Sequence, residues 1–387
     1  MILTYRYRLK EPRAAIRELA RQARTVNFVW NFCGETQESA RRWDRRWPSG
    51  YDLIGLTNGV SRELGLHSDT VQAVCRQFAT SRNAYRRRPR WRGRKSLGWI
   101  PFQAARAIRV EGDAAIFLKR RYRLWMSRPI DGEIRCGNFA QDARGHWYLN
   151  LQVEIAEGAD CGSAEVGIDL GIKDLATLST GEKIANTRHL SRHAEKLAIA
   201  QRAGRKDRAR SLNAKIAHCR RHFLHKLSRR LVRENRLLCV GNVNSSRLAR
   251  TRMAKAVLDA GWSQLRCQLR YKAIRHGARY IEVDERFTTQ VCSGCGAVSG
   301  PKGIADLGVR EWVCVECGVS HDRDVNSALN ILVSGRNAVL QLTEIPALQG
   351  REGVKAVRDS RTAPSATSYP GARSSPARAH GRPRPRR

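Results

Sequence analysis

The chain has 387 residues, of which 72 are Lys or Arg and 35 are Asp or Glu, so its formal net charge at pH 7 is +37. The hydrophobic share of 41% still allows a buried core, and the length suits two or three domains. So large an excess of positive charge requires a polyanionic partner, for which nucleic acid is the natural candidate. No signal peptide opens the sequence and no apolar run is long enough to cross a membrane. We therefore expect a cytoplasmic, nucleoid-associated protein without a membrane partner.

The first hundred residues predict one strand followed by a helical insertion. Residues 1–9 alternate apolar and polar side chains, as a half-buried strand does. Pro12 is suited to open a helix, and an apolar side continues from it to about Arg42. A second helix is predicted from about Ser68, its N-cap, to Tyr85.

Beyond residue 100 the pattern turns to β and then to alternating strands and helices. The stretch 100–155 contains a hairpin and an alternating strand which, with the first strand, indicate a small barrel. The second half of the chain predicts an α/β layer arrangement. Its elements are three short strands in 167–184, a helical hairpin in 186–234 bent near Gly204, a strand at 237–240, a helix at 247–276 and a strand at 278–283.

Two basic stretches are candidates for nucleic-acid contact. The run 86–95 combines basic residues with an aromatic one, which suits phosphate contact and base stacking. Its candidate residues are Arg87, Arg88, Arg90, Trp91, Arg92 and Lys95. The hairpin could line a nucleic-acid channel with Arg188, Arg192, Lys196, Arg205 and Lys206. A solvated linker and a solvated basic helix face are the respective alternatives.

Four of the eleven cysteines form two C-x-x-C pairs with eighteen residues between them, a spacing typical of a four-thiolate zinc site. The predicted ligands are Cys292, Cys295, Cys314 and Cys317, with glycines at 294, 296 and 318 to permit tight turns. A closed four-cysteine site leaves no position open for chemistry, so this zinc would be structural. Reduced structural cysteines are the alternative, and the other seven cysteines are expected to be buried free thiols.

Three acidic positions surround the cysteine signature along the chain. Asp169 lies before it, Glu285 comes just ahead of its first cysteine, and Asp324 follows its last. Carboxylates that converge in a fold can hold divalent metal ions, and paired metal ions cleave phosphodiesters.

These residues stand in motifs that resemble those of the TnpB family, transposon-encoded nucleases related to Fanzor proteins and to type V CRISPR effectors. The resemblance covers nearly the whole chain except the tail. Its motifs are GIDLGIKDLATLS at 167–179, FLHKLSRRLV at 223–232, DAGW at 259–262, LRYKA at 269–273, TTQVCSGCG at 288–296 and DRDVNSALNI at 322–331.

The resemblance implies an α/β protein built around an RNase H-like RuvC nuclease domain with an inserted zinc ribbon. An N-terminal wedge domain, a β-barrel with an inserted helical recognition module, would precede it. The implied boundaries are 1–10 and 96–160 for the barrel, 11–95 for the recognition module, 161–291 and 318–342 for the nuclease domain, 292–317 for the zinc ribbon and 343–387 for a disordered basic tail.

The resemblance also implies an activity, which is magnesium-dependent, RNA-guided cleavage of DNA. One protein molecule would bind a guide RNA derived from the transposon end and open double-stranded DNA beside a short motif. Base pairing would then read the target sequence while the protein reads the motif and the shape of the heteroduplex. In two-metal hydrolysis, Asp169 would bridge both magnesium ions, and Glu285 and Asp324 would each complete one side.

By the same resemblance, Asp169 matches the first catalytic aspartate of the family and Asp324 matches the third. Asp322 is a nearby competitor, but the R-D-x-N pattern favours Asp324. A carboxylate that opens a helix can instead serve as its cap, and this is the alternative role for Asp324.

The second catalytic position departs from the family pattern. Gly241 stands where the family usually has a glutamate at the end of a strand. Glu285, at the end of the next strand, could replace that glutamate, because a side chain can span one strand spacing when a glycine opposite leaves room. The alternative is a nuclease-dead, RNA-guided DNA-binding protein such as a repressor. A general RNA-binding protein would not account for the acidic positions.

Overall fold

The structure is a computed structural model that describes residues 1–343 except 11, 104, 244, 249, 303 and 304. Residues 1–339 form one compact unit. The tail predicted for 343–387 lies, apart from Thr343, outside the described residues. No helix among the described residues is both long enough and apolar enough to cross a membrane.

A seven-stranded antiparallel sheet contains the first strand and the predicted β segment. Its strands are β1 (Ile2–Leu9), β2 (Trp99–Phe102), β3 (Ile108–Glu111), β4 (Ala114–Phe117), β5 (Arg120–Trp125), β6 (Glu133–Gln141) and β7 (Trp147–Glu154). They lie in the order β2-β6-β7-β1-β5-β4-β3. The sheet curls strongly, because Phe102 of β2 and Phe117 of β4, which stand near opposite edges, have ring centroids 5.9 Å apart. The predicted hairpin is β3–β4.

Three helices are inserted between β1 and β2, and their apolar sides share one core with the curled sheet. They are α1 (Arg13–Arg42), α2 (Gly50–Leu56) and α3 (Ser68–Tyr85). The sequence pattern predicted α1 and α3 but missed the seven-residue α2, which is too short to show a period. The predicted cap of α3 was wrong by one residue, since the His67 side chain accepts the Asp69 N–H and Ser68 is already helical.

A five-stranded sheet forms the centre of the second half. Its strands are β8 (Ala164–Leu170), β9 (Asp174–Leu178), β10 (Lys183–Ala185), β11 (Asn235–Gly241) and β12 (Arg279–Val283). They lie in the order β10-β9-β8-β11-β12. The strands β8, β11 and β12 run parallel, while β9 and β10 are antiparallel to their neighbours.

Helices cover both faces of this sheet. They are α4 (Ala194–Arg202), α5 (Lys206–Glu234), α6 (Ser245–Leu248), α7 (Ala254–Ala260), α8 (Trp262–His276) and α9 (Arg323–Thr343). Alternation along β11 divides its side chains, because Leu238 and Val240 join the core under α5 and α8 while Leu237 and Cys239 join the core under α9. Both faces of the parallel part of the sheet are thereby buried.

The prediction of one continuous helix over 247–276 was wrong. The chain instead forms α6, α7 and α8, and Gly261 separates the last two with a left-handed φ of +72°. Trp262, Leu265 and Leu269 of α8 are buried, whereas Leu258 of α7 and Ile274 of α8 are 63% and 38% exposed. The predicted bend of the earlier hairpin is confirmed, since Gly204 has a φ of +63° between α4 and α5.

Helix α9 packs unusually closely on β8 at Gly167. A Cβ at this position would collide with the Ala328 carbonyl and approach the Leu332 Cβ to 2.9 Å. We therefore expect Gly167→Ala to lower the free energy of unfolding by about 1–3 kcal/mol, as overpacked cores do. Thermal unfolding would measure the change. In the matched control, Gly55→Ala in α2, nothing lies within 4 Å of the new methyl, so stability should stay equal or rise. Equal melting temperatures for both variants would contradict the expectation.

Candidate functional site

The carboxyl ends of three adjacent parallel strands bring the predicted acidic residues to one edge of the five-stranded sheet. Asp169 is the penultimate residue of β8, and its neighbour Ile168 pairs with Val240 of β11. Gly241 ends β11 and pairs with Val283, two residues before Glu285. The expectation that the strands of Gly241 and Glu285 are parallel neighbours is confirmed.

The Glu285 side chain fills the space that a side chain at position 241 would need. A Cβ on Gly241 would collide with Glu285 Oε1 and stand 2.6 Å from its Cγ and 2.7 Å from its Cδ. The glycine thus leaves room for the glutamate of the next strand, as predicted. Glu285 Oε1 is buried and has no hydrogen-bond partner among the described residues. Because an unpaired buried carboxylate oxygen is costly, this atom is suited to bind a cation.

Asp324 lies in the first turn of α9, but Asp322 performs the capping. Asp322 Oδ1 accepts the N–H groups of Asp324 and Val325 at 3.1 and 3.0 Å, and its other oxygen accepts Lys183 Nζ at 2.5 Å. The Asp324 carboxylate makes no cap hydrogen bond and instead accepts from the Arg310 guanidinium at 3.2 and 3.3 Å. The two competing carboxylates therefore make different contacts: Asp322 caps α9 and pairs with Lys183, whereas Asp324 pairs with Arg310.

Asp169 is held between the sheet and α9. Its Oδ1 accepts a hydrogen bond from Ser327 Oγ at 3.2 Å, and Ser327 is in turn 2.9 Å from Thr288 Oγ1. Burial, reinforced by the charges of Glu285 and Asp324, raises the pKa of Asp169 to about 7. Burial also raises the pKa of Glu285 to about 7. Raised carboxyl pKa values at one sheet edge are typical of a functional site.

Two asparagines of α9, one helical turn apart, bind the segment that joins Glu285 to the first cysteine pair. Asn326 and Asn330 each donate to the carbonyls of Thr288 and Val291 at 2.7–3.2 Å. The Ser293 N–H donates to Asn326 Oδ1 at 2.9 Å. This clamp fixes the helix of Asp324 relative to the strand of Glu285. Sequence reasoning missed it, although the i, i+4 spacing of the two asparagines was visible.

The four predicted cysteines converge. Among the described residues they are the one group of three or more His, Cys, Asp or Glu side chains whose ligand atoms all lie within 4.8 Å of one another. Gly296 and Gly318 take left-handed φ values of +79° and +70° in the two turns, as expected, but Gly294 does not. The second pair lies in the turn between β13 (Glu311–Val313) and β14 (Ser320–Asp322). Strand β14 also carries the buried His321, whose Nε2 is 3.0 Å from Cys292 Sγ.

The three carboxylates are spread more widely than the four sulfurs: no choice of one oxygen from each of Asp169, Glu285 and Asp324 brings all three within 4.8 Å of one another. Two metal ions stand about 3.5–4 Å apart in nuclease sites and draw their ligands from a wider region than one ion does. The donor set consists of oxygens only, which is what magnesium prefers. The three carboxylates are therefore suited to bind hard cations.

The remaining seven cysteines are free thiols, as expected, but they are not all buried. Cys33, Cys75 and Cys239 are buried, whereas Cys267 is exposed and Cys136, Cys161 and Cys219 are half-buried. The prediction of buried thiols was thus wrong for four positions. Cys136, Cys219 and Cys267 lie on strand or helix faces turned partly to solvent, and Cys161 lies in the loop between β7 and β8.

In the first basic run, five of the six predicted contact residues are exposed: Arg87, Arg88, Arg90, Trp91 and Lys95. Arg92 is half-buried, and its guanidinium donates to Asn27 Oδ1 at 2.6 Å and to the Leu97 carbonyl at 2.8 Å. Arg92 therefore anchors the run to α1. Arg88 lies 3.5 Å from Glu38.

In the second basic stretch, Arg188, Arg192, Lys196, Arg205 and Lys206 are all exposed. In the part of the chain that the structure describes, none of these five side chains has an acidic partner within ion-pair distance. Such unpaired positive charge on one helical hairpin is suited to phosphate contact.

Two family models match the second half of the chain. The family described as "Probable transposase" matches residues 152–252, and the family described as "Cas12f1-like, TNB domain" matches residues 262–331. Together these ranges contain the five-stranded sheet, the acidic residues and the cysteine cluster.

Curated relatives align along most of the chain. A "Putative RNA-guided DNA endonuclease" of Streptomyces pristinaespiralis is 33% identical over 86% of this chain and 88% of its own length. A "Putative RNA-guided DNA endonuclease InsQ" of Escherichia coli K12 is 24% identical over 85% and 90%. A chain in the solved "Cas12f1-sgRNA-target DNA complex" aligns over 86% of this chain and 99% of its own at 14% identity, with a TM-score of 0.34.

The relatives that align along the chain, including the acidic sheet edge and the four-cysteine cluster, belong to a class named as DNA endonucleases. With a relative of this identity and coverage, the particular family is established: the chain belongs to the TnpB family.

The raised carboxyl pKa values make the stability of the magnesium-free protein depend on pH. Between about pH 4 and 7, folded Asp169 and Glu285 retain protons that the unfolded chain has released, so stability falls as pH rises through this window. We expect Asp169→Asn to gain stability relative to wild type as pH rises from 5 to 8, by at most roughly 1.4 kcal/mol per pH unit. Thermal unfolding in magnesium-free buffer at fixed ionic strength measures this. The exposed Asp284→Asn serves as control, and parallel curves for Asp169→Asn and wild type would contradict the expectation.

Proposed function

We propose that this protein is an RNA-guided DNA endonuclease whose second catalytic carboxylate is Glu285 instead of a residue at position 241. The observation that supports this most directly is the fit of the Glu285 side chain into the space above Gly241. A surface glutamate would not need a glycine on the neighbouring strand, nor would it bury an unpaired oxygen beside Asp169. The printed names of the relatives, endonucleases guided by RNA, agree with this activity.

The proposal includes the domain assignment. The strand order β10-β9-β8-β11-β12 is that of an RNase H-like sheet, which supports a RuvC nuclease domain over 161–291 and 318–342. The cysteine cluster supports a zinc ribbon over 292–317. The curled seven-stranded sheet with its helical insertion supports a wedge barrel over 1–10 and 96–160 and a recognition module over 11–95.

Asp169, Glu285 and Asp324 would hold the catalytic magnesium. The ions would supply an activated water and stabilise the leaving oxygen of the phosphodiester. The chain prepares these ligands by hydrogen bonds: Ser327 orients Asp169, and the cap formed by Asp322 sets the first turn of α9 that carries Asp324. All three carboxylates must be ionised to bind a cation. Because the pKa values of Asp169 and Glu285 are raised to about 7, these groups hold protons below that pH, and cation binding is weaker there.

Nucleic acids are the proposed partners. The guide RNA would come from the transposon end, and the target would be double-stranded DNA beside a short motif. The net charge of +37 and the exposed, unpaired cations in and just before the α4–α5 hairpin support a large phosphate interface. Of the first basic run we retain Arg87, Arg88, Arg90, Trp91 and Lys95 as contacts. Arg92 is not among the proposed contacts, because its guanidinium already donates to Asn27 and to the Leu97 carbonyl.

The competing function is RNA-guided DNA binding without cleavage, and Gly241 is the observation that favours it. Loss of the glutamate from β11 alone would leave Asp169 and Asp324 without a third ligand. The position of Glu285 answers this objection, because its carboxyl group lies at the same sheet edge and contacts the place where a side chain at position 241 would begin.

A relocation experiment tests the proposal. Wild type with guide RNA and magnesium should cut a plasmid carrying the target, and Glu285→Ala and Asp169→Ala should each reduce the rate by at least about a hundredfold, as expected for lost transition-state ligands. The double variant Gly241→Glu/Glu285→Ala should recover part of the lost rate, since removing the old side chain opens the space for the new one. Gly241→Glu alone should be inactive, because the new glutamate would collide with the Glu285 side chain.

Electrophoretic binding to the same target is the control for each relocation variant. Binding without cleavage by wild type would favour the repressor function. Cleavage that survives Glu285→Ala would show that another acid supplies the third ligand.

Zinc bound by Cys292, Cys295, Cys314 and Cys317 is the second element of the proposal, with a structural role only. We expect about one zinc per chain by elemental analysis of the purified protein. Cys295→Ser should lose the zinc and lower the melting temperature, whereas Cys267→Ser, an exposed cysteine outside the cluster, should change neither. Equal zinc content in the two variants would contradict the assignment.

A further inference from the structure

Arg310 pairs directly with a carboxylate of the candidate active site. Its Nη1 stands 3.2 and 3.3 Å from the two Asp324 oxygens, and it is the one ion-pair partner of Asp324 among the described residues. Arg266 and Arg323 influence Glu285 and Asp169 only at longer range, and Lys183 pairs with the cap, Asp322. The guanidinium therefore takes the position of a cation at the very carboxylate that the proposed function assigns to a metal.

The backbone holds position 310 next to this carboxylate whatever the side chain does. The Arg310 carbonyl accepts the Arg323 N–H at 2.7 Å, and Glu311 then pairs with Asp322 in the two-stranded β13–β14 ribbon. If the guanidinium leaves Asp324, it remains within one side-chain length of the sheet edge. With 44% of the side chain exposed, against 20% for Asp324, it can swing toward solvent and a bound nucleic acid.

We propose that Arg310 is a place-holding cation, an inference that rests on the proposed function. Before metal binds, it neutralises Asp324 and limits the repulsion among the three carboxylates, and it thereby competes with the divalent ion. The zinc ribbon thus contributes a charge to the nuclease site, in addition to structural support.

Mn²⁺ binding to the full-length chain, monitored by electron paramagnetic resonance, tests the competition of Arg310 with a divalent ion without depending on activity. Arg310→Gln should lower the Mn²⁺ dissociation constant about two- to fivefold, the range expected from the strength of a partly exposed ion pair. Arg310→Lys should lie nearer to wild type. Arg286→Gln is the matched control, because it removes the same charge from an exposed residue paired with Asp284 instead, and should leave binding unchanged. Asp324→Asn identifies the share of binding due to this site.

Unchanged or weaker Mn²⁺ binding in Arg310→Gln overturns the place-holding role, even if Asp169→Ala abolishes cleavage and the proposed function stands. Tighter Mn²⁺ binding in Arg310→Gln from a wild type that does not cut supports place-holding and overturns the proposed function alone.

Discussion

The candidate active site depends on one steric relation between neighbouring parallel strands. Strands in a sheet lie about 4.8 Å apart, so the side chain of a residue that follows one strand can reach the end of the next. Glu285 does this above Gly241, and the absence of a side chain at position 241 is what makes the approach possible. The glycine and the glutamate therefore form a single structural feature. Neither residue explains the site without the other, and a substitution at either position acts on both.

The other carboxylates owe their positions to α9 and to its polar contacts with the segment before the cysteine cluster. Buried polar groups specify a unique arrangement when all of them are satisfied, and here Thr288, Asn326 and Ser327 are buried and hydrogen-bonded. The close approach of α9 to β8 at Gly167 restricts sliding of the helix along the strand. Through this contact network, the ribbon, the last helix and the sheet edge behave as one connected body.

Charge is distributed unevenly between this site and the rest of the molecule. A chain with 72 basic and 35 acidic residues gathers three carboxyl groups at one sheet edge, where burial raises the pKa of two of them. The basic surface attracts the phosphate backbone, while the acidic edge would repel it unless cations intervene. Metal ions and nucleic acid would therefore bind more favourably together than separately. The Arg310–Asp324 pair is a smaller version of the same compensation within the chain.

The sequence by itself determined the long helices, β1, the β3–β4 hairpin, β7 and the strands of the five-stranded sheet, because hydrophobic periodicity depends on local chain geometry. It did not single out β2, β5, β6 or the β13–β14 ribbon. It also determined the cysteine cluster, whose spacing is set by the turns that each pair must make. The acidic candidates came from motif resemblance, and their meeting at one edge followed from parallel strands. Short or interrupted elements escaped prediction, among them α2 and the break at Gly261, since seven residues show no period and one left-handed residue interrupts a helix.

Only the tertiary structure decided which acidic residue caps α9, that Arg92 is used within the protein, and that Asn326 and Asn330 clamp the loop before the cysteines. Only the tertiary structure placed Arg310 against Asp324. These contacts join residues that are distant in the chain or that present similar chemistry in sequence. Their choice depends on side-chain directions and on distances of a few ångströms, which local patterns do not encode.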